Sequence, residues 1–493
     1  MFALHSASLG DLTHTFCQIT QSAADPLKRP LTPENAPEDW LRAIEEVAGT
    51  AAITTVIGPP CSGKSTFAKR LLNRYLTGMG KTMKPVPLVY YLDLDYRKPE
   101  YTLHGQISLT IVYELNLGPS FTQPGTTLGR AGMNRMLAAH FLPVQGITDY
   151  EDYFTSCAHD LFRTYRNLLS EGIVRPLIIN TPASLYTMHF PLLQKLLTTL
   201  RPNHIIHLND TTTIDPATAS KLQILQTFSQ TTSTTFHELA AQHPPLLPSR
   251  TDGELRAMSM QSYFHLSTLK TRISSSGSSN EIVETTWDPR PLSHLTPWEF
   301  CYEETPTRCQ DFIGVLPLFE PLTPSQLLTA LTGTVIHIVE TTSPIIESQY
   351  ENLPRTIKHN FPYFAPNPAL GKVEPLDPQT SRLVCTALVR GFDHDEKVVQ
   401  IIVPKTHDSF LQNLTPERTV FVAGCCDTPE WAYTEDAYYQ LDAQRNNLQT
   451  GGKFVGEGGL TDGVPLPFWV EKRSTVEEMG YLSTVRRVRK FLG

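Results

Sequence analysis

The sequence lacks any run of apolar residues long enough to span a membrane. A transmembrane helix needs about 18 or more consecutive apolar residues, and no stretch of that length occurs. The first residues, MFALHSASLGDLTHTF, have no basic stretch followed by an apolar run, so they do not resemble a signal peptide. We therefore expect a soluble intracellular protein that does not bind a membrane.

Paired cysteine motifs and an overall positive charge are absent as well. The 493 residues include eight cysteines, which are scattered and form no CxxC pair. This spacing argues against a zinc site and a disulfide framework, and it favours free thiols in a reducing compartment. The formal net charge is −8, so any binding of nucleic acid must depend on local basic patches.

Alternating strand and helix patterns occupy the first part of the chain. Continuous apolar strands are predicted at 51–57, 88–94, 177–180 and 205–208. The helices predicted around them cover residues 38–47, 65–75, 153–169 and 190–200. Such alternation is typical of a parallel sheet with helices on both faces. We predict an α/β fold of the P-loop NTPase type in a kinase domain at 49–273.

The remaining segments differ from this domain in composition. Residues 1–48 are polar and contain proline, which indicates an N-terminal lead-in segment. The stretch SSSGSS opens a predicted linker at 274–296. In residues 297–493, short strand patterns alternate with turn-rich stretches, which predicts a smaller, mainly β C-terminal domain. The strands predicted in this domain lie at 313–315, 334–339, 383–389, 398–403 and 419–422.

The sequence GPPCSGKS at 58–65 fits the pattern GxxxxGK[ST]. Glycines let the backbone turn so that N–H groups face phosphate oxygens, the lysine brings positive charge, and the serine hydroxyl coordinates Mg²⁺. The following helix adds the positive end of its dipole. The guanine-reading motif NKxD is absent, so we expect ATP as the nucleotide. The predicted nucleotide contacts are Gly58, Pro59, Pro60, Cys61, Ser62, Gly63, Lys64, Ser65 and Thr66.

Two aspartates end the next predicted strand, in the sequence LDLD at 92–95. Ligands of open α/β sheets bind at the carboxyl ends of strands. We assign Asp95 as the base that takes a proton from an attacking hydroxyl, and Asp93 as support for the metal. Residues two apart in a strand point to the same face. The alternative is a pair of side chains that cap nearby N–H groups.

Two further groups of basic residues are candidates for function. Arg250 and Arg256 are predicted to lie on a lid over the transferred phosphoryl group, although an ordinary surface helix is the alternative. Near the C-terminus, TVRRVRK follows the apolar sequence PLPFW and is predicted to bind nucleic acid or dock on a partner, unless it is a solvated helix end. The predicted docking residues are Trp469, Arg486, Arg487 and Arg489.

Several of these segments resemble the nucleolar polynucleotide 5′-hydroxyl kinase family. The most specific are YLDLDYRKPEYTLHGQISL at 91–109 and ELNLGPSFTQP at 114–124, and the similarity extends from about residue 40 to residue 493. That family phosphorylates RNA 5′-hydroxyl ends during pre-ribosomal RNA processing. It is related to the RNA kinase subunit of the pre-mRNA cleavage machinery.

The resemblance implies a kinase of the nucleus and nucleolus that uses ATP and Mg²⁺. Lys64 and Ser65 would serve ATP and the metal, Asp95 would activate the RNA 5′-hydroxyl, and Arg256 would act from the lid. The basic segment 486–492 looks like the one by which family members dock on a HEPN-type endoribonuclease, which cuts the internal transcribed spacer. The resemblance also suggests a higher-order complex with two copies of each protein.

The sequence departs from the family pattern at two places. Lys98 stands where the family usually has glutamine, and residues 183–189 lack the glycines that usually follow Asn-Thr-Pro. Residues 1–48 also do not match the N-terminal β-domain that is common in relatives. Three hypotheses therefore stay open: an RNA kinase, a nucleotide-binding subunit that activates the nuclease, and an NTPase that works as a switch.

Overall fold

The structure is a computed structural model that describes most of the chain. The described residues are 2–4, 16–18, 36–78, 86–123, 134–142, 147–169, 175–209, 216–243, 250–273, 281–319, 322–348, 350, 352–368, 371–424, 426 and 429–450. The chain forms two compact units, one of residues 1–289 and 295–429, the other of 290–294 and 430–493. Within the described part, no helix has the length and apolar character that crossing a membrane requires.

A seven-stranded sheet forms the larger part of the first unit. Its strands in chain order are β3 (Ile53–Ile57), β4 (Val89–Asp93), β5 (Gln106–Val112), β6 (Arg135–Phe141), β7 (Leu177–Asn180), β8 (His204–Asn209) and β9 (Thr235–Ala240), after a separate pair formed by β1 (Phe2–Leu4) and β2 (Phe16–Gln18). The spatial order is β6-β5-β4-β7-β3-β8-β9. The five strands from β4 to β9 in this order are parallel, whereas β5 runs antiparallel to both of its neighbours.

Helices cover both faces of this sheet. They are α1 (Glu38–Val47), α2 (Lys64–Thr77), α3 (Glu151–Leu168), α4 (Ala183–Thr187), α5 (Phe190–Leu200) and α6 (Pro216–Thr232). A further helix, α7 (Asp252–Phe264), follows β9 in the chain. Ile57 and Ile179 pack towards α3 and α5, while their neighbours Val56 and Ile178 pack towards α1 and α2. Successive strand residues thus enter different cores, as the period of two requires. The predicted α/β fold class is confirmed.

The sequence pattern located four of the seven strands of this sheet and missed three. The predicted helices 38–47 and 190–200 and the strand 177–180 match the structure, and the other predicted ends shift by a few residues. The strands β5, β6 and β9 were not predicted. Because β5 contains Gln106, Ser108 and Thr110 among its buried residues, it does not form a continuous apolar run.

A hairpin follows α7 and lies partly within the predicted linker 274–296. It pairs β10 (Leu266–Ile273) with β11 (Glu281–Trp287) in antiparallel fashion. The linker prediction is therefore wrong for residues 281–287. Their sequence EIVETTW is rich in β-branched residues, which favour a strand.

A six-stranded sheet confirms the smaller, mainly β region. Its strands are β12 (Trp298–Cys301), β13 (Gly314–Pro317), β14 (Val335–Thr341), β15 (Ser381–Asp393), β16 (Val398–Ile402) and β17 (Thr419–Ala423), with short helices α8 (Leu327–Leu331), α9 (Pro344–Glu347) and α10 (Asp408–Leu411) between them. The spatial order is β12-β16-β15-β14-β17-β13. Neighbouring strands are antiparallel except for β13 and β17. The domain limits 49–273 and 297–493 stay predictions.

The two sheets share packing inside the first unit. Phe141 of β6 belongs to the same buried cluster as Leu383 of β15 and Val422 of β17. A buried hydrogen bond of 2.9 Å also joins Gln106 Nε2 of β5 to Thr386 Oγ1 of β15. The smaller sheet therefore covers the edge of the larger one, at the end opposite to β9.

Candidate active site

A tight loop between β3 and α2 contains the predicted phosphate-binding residues 58–66. Gly58 and Gly63 have positive φ angles of 152° and 95°, and Cys61 has a φ of 57°. A Cβ atom at Gly58 would lie 2.5 Å from the carbonyl oxygen of Leu208, so a side chain does not fit there. The backbone thus has the tight turns that binding of phosphate by N–H groups requires.

Lys64 is the first residue of α2, and its side chain is folded back over this loop. Nζ donates hydrogen bonds to the carbonyl oxygens of Gly58 at 3.1 Å and Pro59 at 2.8 Å. Burial lowers the pKa of Lys64 to about 8, although the negative charge of Asp95 opposes this shift. Charged acceptors bind an ammonium group more strongly than carbonyl oxygens do, so a polyphosphate can draw Nζ away from the loop.

Trp40 of α1 packs against the same loop. Its indole Nε1 donates to the carbonyl oxygen of Ala240 at 2.9 Å, and its ring meets the ring of Phe67 edge-on at 5.4 Å. A Cβ atom at Gly63 would lie only 2.6 Å from Cη2 of Trp40. Sequence reasoning placed Trp40 in the lead-in 1–48 and missed this contact, although the apolar stripe of the predicted helix was an available signal.

Asp93 ends β4, and its carboxylate is enclosed by donors. Oδ1 accepts hydrogen bonds from the N–H of Asp95 and from Asn180 Nδ2, both at 3.1 Å, and Oδ2 accepts from the N–H of Glu100 at 2.7 Å. Burial, followed by the charge of Asp95, raises the pKa of Asp93 to about 8 against the effect of these hydrogen bonds. We infer that Asp93 fixes the loop after β4. Its support of a metal stays a prediction.

Asp95 lies beyond the end of β4 and belongs to the following loop. The two-residue strand period therefore does not apply to it, and that part of the sequence prediction is wrong. Its half-buried carboxylate accepts a hydrogen bond from the N–H of Arg97 at 3.2 Å. Burial raises the pKa of Asp95, and the charges of Lys64 and Lys98 oppose that rise. A carboxylate with a raised pKa is a stronger general base.

The oxygen atoms at this site suit Mg²⁺. Ser65 lies in the first turn of α2, Asp93 ends the nearby strand, and the buried Oδ1 of Asn180 has no hydrogen-bond partner. Mg²⁺ prefers oxygen ligands and is usually held by one or two protein groups together with waters and phosphates. The described residues contain no cluster of three or more His, Cys, Asp or Glu able to bind a metal. The site thus fits a metal that binds together with a nucleotide.

The segment ELNLGPSFTQP at 114–124 is hydrogen-bonded to side chains of α2. Asn73 makes two hydrogen bonds of 2.8 Å with the backbone of Asn116, one through each side-chain polar atom. Lys69 Nζ lies 2.9 Å from Glu100 Oε1 and donates to the carbonyl oxygen of Gly118 at 3.1 Å. These bonds connect the backbone of the segment to the helix that begins at Lys64.

The predicted lid arginines lie at the start of α7. Thr251 caps this helix, and its side chain and that of Glu254 form a reciprocal capping box. Arg250 Nη1 lies 2.8 Å from Met258 Sδ, and Arg256 is half-buried in the second turn. The structure thus places both arginines at one end of one helix. Their role as a lid stays a prediction.

Lys98 connects the loop after Asp95 to this helix. Its Nζ lies 2.6 Å from Oδ1 of Asp252, the first residue of α7. The family pattern has glutamine at this position, and the sequence left open whether the lysine repels a metal or points elsewhere. In the structure its charge is paired with a carboxylate.

Residues 183–187 form the helix α4 where the family pattern has glycines. Lys221 of α6 donates to the carbonyl oxygen of Tyr186 at 2.9 Å, and its Nζ lies 5.0 Å from the centre of the Tyr186 ring. The same ammonium lies 5.7 Å from the centre of the Phe190 ring. Helical hydrogen bonds and cation–π contacts therefore stabilise this segment without glycine. Met188 follows with 73% of its surface exposed.

The second unit contains α11 (Glu430–Thr450). His294 Nε2 lies 2.8 Å from Oδ1 of Asp436 on this helix. The predicted docking residues Trp469, Arg486, Arg487 and Arg489 lie outside the described residues. Their role stays a prediction.

Comparison with known proteins shows which proteins this chain is similar to. Residues 58–266 match the family model of the mRNA cleavage and polyadenylation factor CLP1 P-loop. The polynucleotide 5′-hydroxyl-kinase GRC3 of Gibberella zeae is 28% identical over 93% of this chain, and that of Emericella nidulans is 27% identical over 91%. The predicted family resemblance is confirmed. The matched region contains the phosphate loop, Asp95, Asn180 and α7, and its last residue is the first of β10.

The chain spans about three fifths of the length of these kinases. It covers 64% of the Gibberella zeae protein and 58% of the Emericella nidulans protein. Among solved structures, the wild-type Clp1p–Pcf11p complex aligns with 78% of this chain and 77% of its own, with 15% identity and a TM-score of 0.48.

Proposed function

We propose that this protein is an ATP-dependent kinase that phosphorylates the 5′-hydroxyl ends of RNA. The observation that carries the proposal is the placement of Lys64 on the phosphate loop after β3 and of Asp95 in the loop after β4, two strands that are separated by β7 alone. The strands β3 and β4 both lie beside β7 and run parallel to it, so their carboxyl ends meet at one edge. A phosphate-binding cation and a base thus lie where open α/β sheets bind ligands.

In the proposed reaction, Asp95 takes the proton of the 5′-hydroxyl while its oxygen attacks the γ-phosphorus of ATP. The new oxygen–phosphorus bond forms as the bond from this phosphorus to the bridging oxygen breaks, so ADP leaves. Lys64 neutralises charge on the β- and γ-phosphates, and Arg256, with Arg250, covers the transferred group from α7. Mg²⁺, held by Ser65 with Asp93 in support, supplies further positive charge on the phosphates when it is bound.

The biological setting we propose is ribosomal RNA processing in the nucleus and nucleolus. The substrate is the 5′-hydroxyl end left by cleavage of an internal transcribed spacer, and the partner is the HEPN-type endoribonuclease that makes this cut. The names of the relatives support a polynucleotide 5′ end as the substrate. The resemblance of the basic segment 486–492 to a docking segment supports the hetero-complex.

A second candidate function is a nucleotide-binding subunit that activates the endoribonuclease without transferring phosphate. Two observations favour it: Lys98 has replaced the glutamine of the family pattern and pairs with Asp252, and α4 has replaced the glycine-containing loop. In that case the phosphate loop would serve assembly of the complex.

Transfer of labelled γ-phosphate from ATP to a 5′-hydroxyl RNA oligonucleotide tests the kinase proposal. The assay compares the wild type with Lys64→Ala and Asp95→Asn, with and without the nuclease. We expect Lys64→Ala to weaken ATP binding and abolish transfer, and Asp95→Asn to keep ATP binding but lose about 100-fold or more in transfer. Lys195→Ala, at a lysine of α5 that is 57% exposed, serves as a control and should transfer normally.

The possible outcomes separate the three hypotheses. Transfer by Asp95→Asn at the wild-type rate would contradict the assigned base. Bound ATP with no transfer by the wild type, together with nuclease activation that survives Asp95→Asn, would favour the second candidate. Hydrolysis of ATP that does not respond to RNA would favour an NTPase switch.

A further inference from the structure

The helix α7 is firmly anchored at its C-terminal end. The buried hydroxyl of Tyr263 donates to the carbonyl oxygen of Thr386 and accepts from its N–H, both at 3.1 Å. The indole Nε1 of Trp287 donates to the carbonyl oxygen of Ser262 at 3.0 Å. The smaller sheet and the β10–β11 hairpin therefore fix the position of this end.

The N-terminal end of α7 is attached in a different way. Lys98 reaches it from the loop after Asp95 and forms the 2.6 Å ion pair with Asp252. Both side chains are about half exposed, at 48% and 55%. The capping box between Thr251 and Glu254 fixes the backbone on either side of Asp252, so the pair acts on the helix as a whole. An exposed ion pair of this kind breaks and forms again at low cost.

Lys98 also lies beside the groups proposed to react. Its N–H donates to the carbonyl oxygen of Asp95 at 3.2 Å, in the turn that begins at that aspartate. The charge of Lys98 lowers the pKa of both Lys64 and Asp95, which indicates that its ammonium is close to them. Asp252 and Arg256 are four residues apart on α7, so they lie on the same side of the helix. A bond that holds Asp252 at the site therefore also brings Arg256 towards it.

We propose that Lys98 is a positioning residue that closes α7 over the phosphate loop by pairing with Asp252, and so places Arg256 beside the transferred phosphate. The anchored end at Tyr263 acts as the pivot, and the exposed pair is the contact that opens to let nucleotide enter and leave. This inference rests on the proposed function. It assigns a role in the same site to Lys98, which stands where the family pattern has glutamine.

The test combines charge reversal with measurement of nucleotide release. Release of a fluorescent ATP analogue is followed by stopped flow for the wild type, Lys98→Asp, Asp252→Lys and the double variant that exchanges the two charges. Each single variant is expected to speed release about 2- to 5-fold, because an exposed pair contributes a small free energy. The double variant is expected to restore the rate, and about 1 M salt should remove the differences.

Control and kinetic measurements make the test specific. Exchange of Arg418 and Glu347, an exposed pair at 2.8 Å on the smaller sheet, should leave release unchanged. In the kinase assay, Lys98→Asp should lower kcat, and the exchanged pair should recover it. A double variant whose release is accelerated by the product of the two single effects would overturn the proposal, since the two charges would then act independently.

The release assay does not depend on phosphate transfer. If the wild type transfers no phosphate, but the single variants release nucleotide faster and the double variant restores the wild-type rate, the kinase proposal fails and the closing contact stands. If transfer is normal and positions 98 and 252 show no coupling in release, the kinase proposal stands and the closing contact fails.

Discussion

At the scale of single residues, Lys64 combines burial with a positive charge. Its neighbours Gly58 and Pro59 offer carbonyl oxygens, and burial lowers the pKa of Lys64 to about 8. The phosphates of ATP favour the charged ammonium, so nucleotide binding raises this pKa again. Below the lowered pKa the lysine is already protonated, and above it binding must be accompanied by uptake of a proton.

We therefore predict that the affinity for ATP falls as the pH rises through about 8. The fall should approach a factor of about ten per pH unit above that value, because one proton is taken up with each ATP. Titration with a fluorescent ATP analogue at a series of pH values measures it. Lys64→Arg keeps its charge throughout this range and should remove the pH dependence. Parallel profiles for the two proteins would contradict the prediction.

The candidate site residues that the sequence pointed to are those with a local signal. Lys64 and Asp95 stand in short motifs at the ends of predicted strands, and the structure brings them together at one edge of the sheet. The partners of Lys98 and Trp40 could not be predicted, because Asp252 and Ala240 lie far along the chain and depend on how α7 and β9 pack. The three donors around Asp93 come from the loop after β4 and from β7, which lies far along the chain.

At the scale of elements, α7 depends on the smaller sheet for its position. The hydroxyl of Tyr263 makes two buried hydrogen bonds with Thr386 of β15. Removing a buried polar partner costs about 1–3 kcal/mol, because the groups that remain lose their hydrogen bonds without gaining water.

We predict that Tyr263→Phe lowers the free energy of unfolding by about 1–3 kcal/mol. Urea unfolding should show a lower midpoint with an unchanged slope, since the surface exposed on unfolding is the same. Tyr438→Phe, at a tyrosine that is 54% exposed on α11, is the matched control and should leave the midpoint in place. Equal midpoints for the two variants would show that the bonds to Thr386 contribute nothing.

Strand prediction from sequence succeeded where a buried strand is a continuous run of apolar residues. The strand β7 reads LIIN and is buried on both faces, so its apolar run was visible. The strand β5 reads QISLTIV, and its residues are all buried although three of them are polar. The polar residue Gln106 is buried because it bonds to Thr386 of the smaller sheet, a contact that no local pattern reveals.

At the scale of the whole molecule, the two sheets of the first unit share a buried core. Phe141 of β6 is 5% exposed, and the centre of its ring lies 3.8 Å from that of His337 on β14. Separation of the two sheets would expose this apolar surface to water. A boundary between separate domains, as the sequence suggested at the linker 274–296, would cut through this packing.

We predict that the two sheets open together. Hydrogen exchange in increasing urea should give amides of β4 and β15 the same limiting opening free energy, as expected of one cooperative unit. Phe141→Ala should lower both values by about 3–5 kcal/mol, because it leaves a cavity in the shared core. Leu168→Ala, at a side chain that is 46% exposed, is the control and should change neither. Opening of β15 while β4 stays protected would contradict the prediction.

The contact between Trp40 and Gly63 restricts the sequences that this fold accepts. Position 63 requires glycine for two reasons. Its φ is 95°, and a methyl group there would lie 2.6 Å from the indole ring of Trp40. Shrinking the side chain at position 40 would relieve only the second restriction. A library randomised at both positions would therefore select glycine at position 63, whatever residue it selects at position 40.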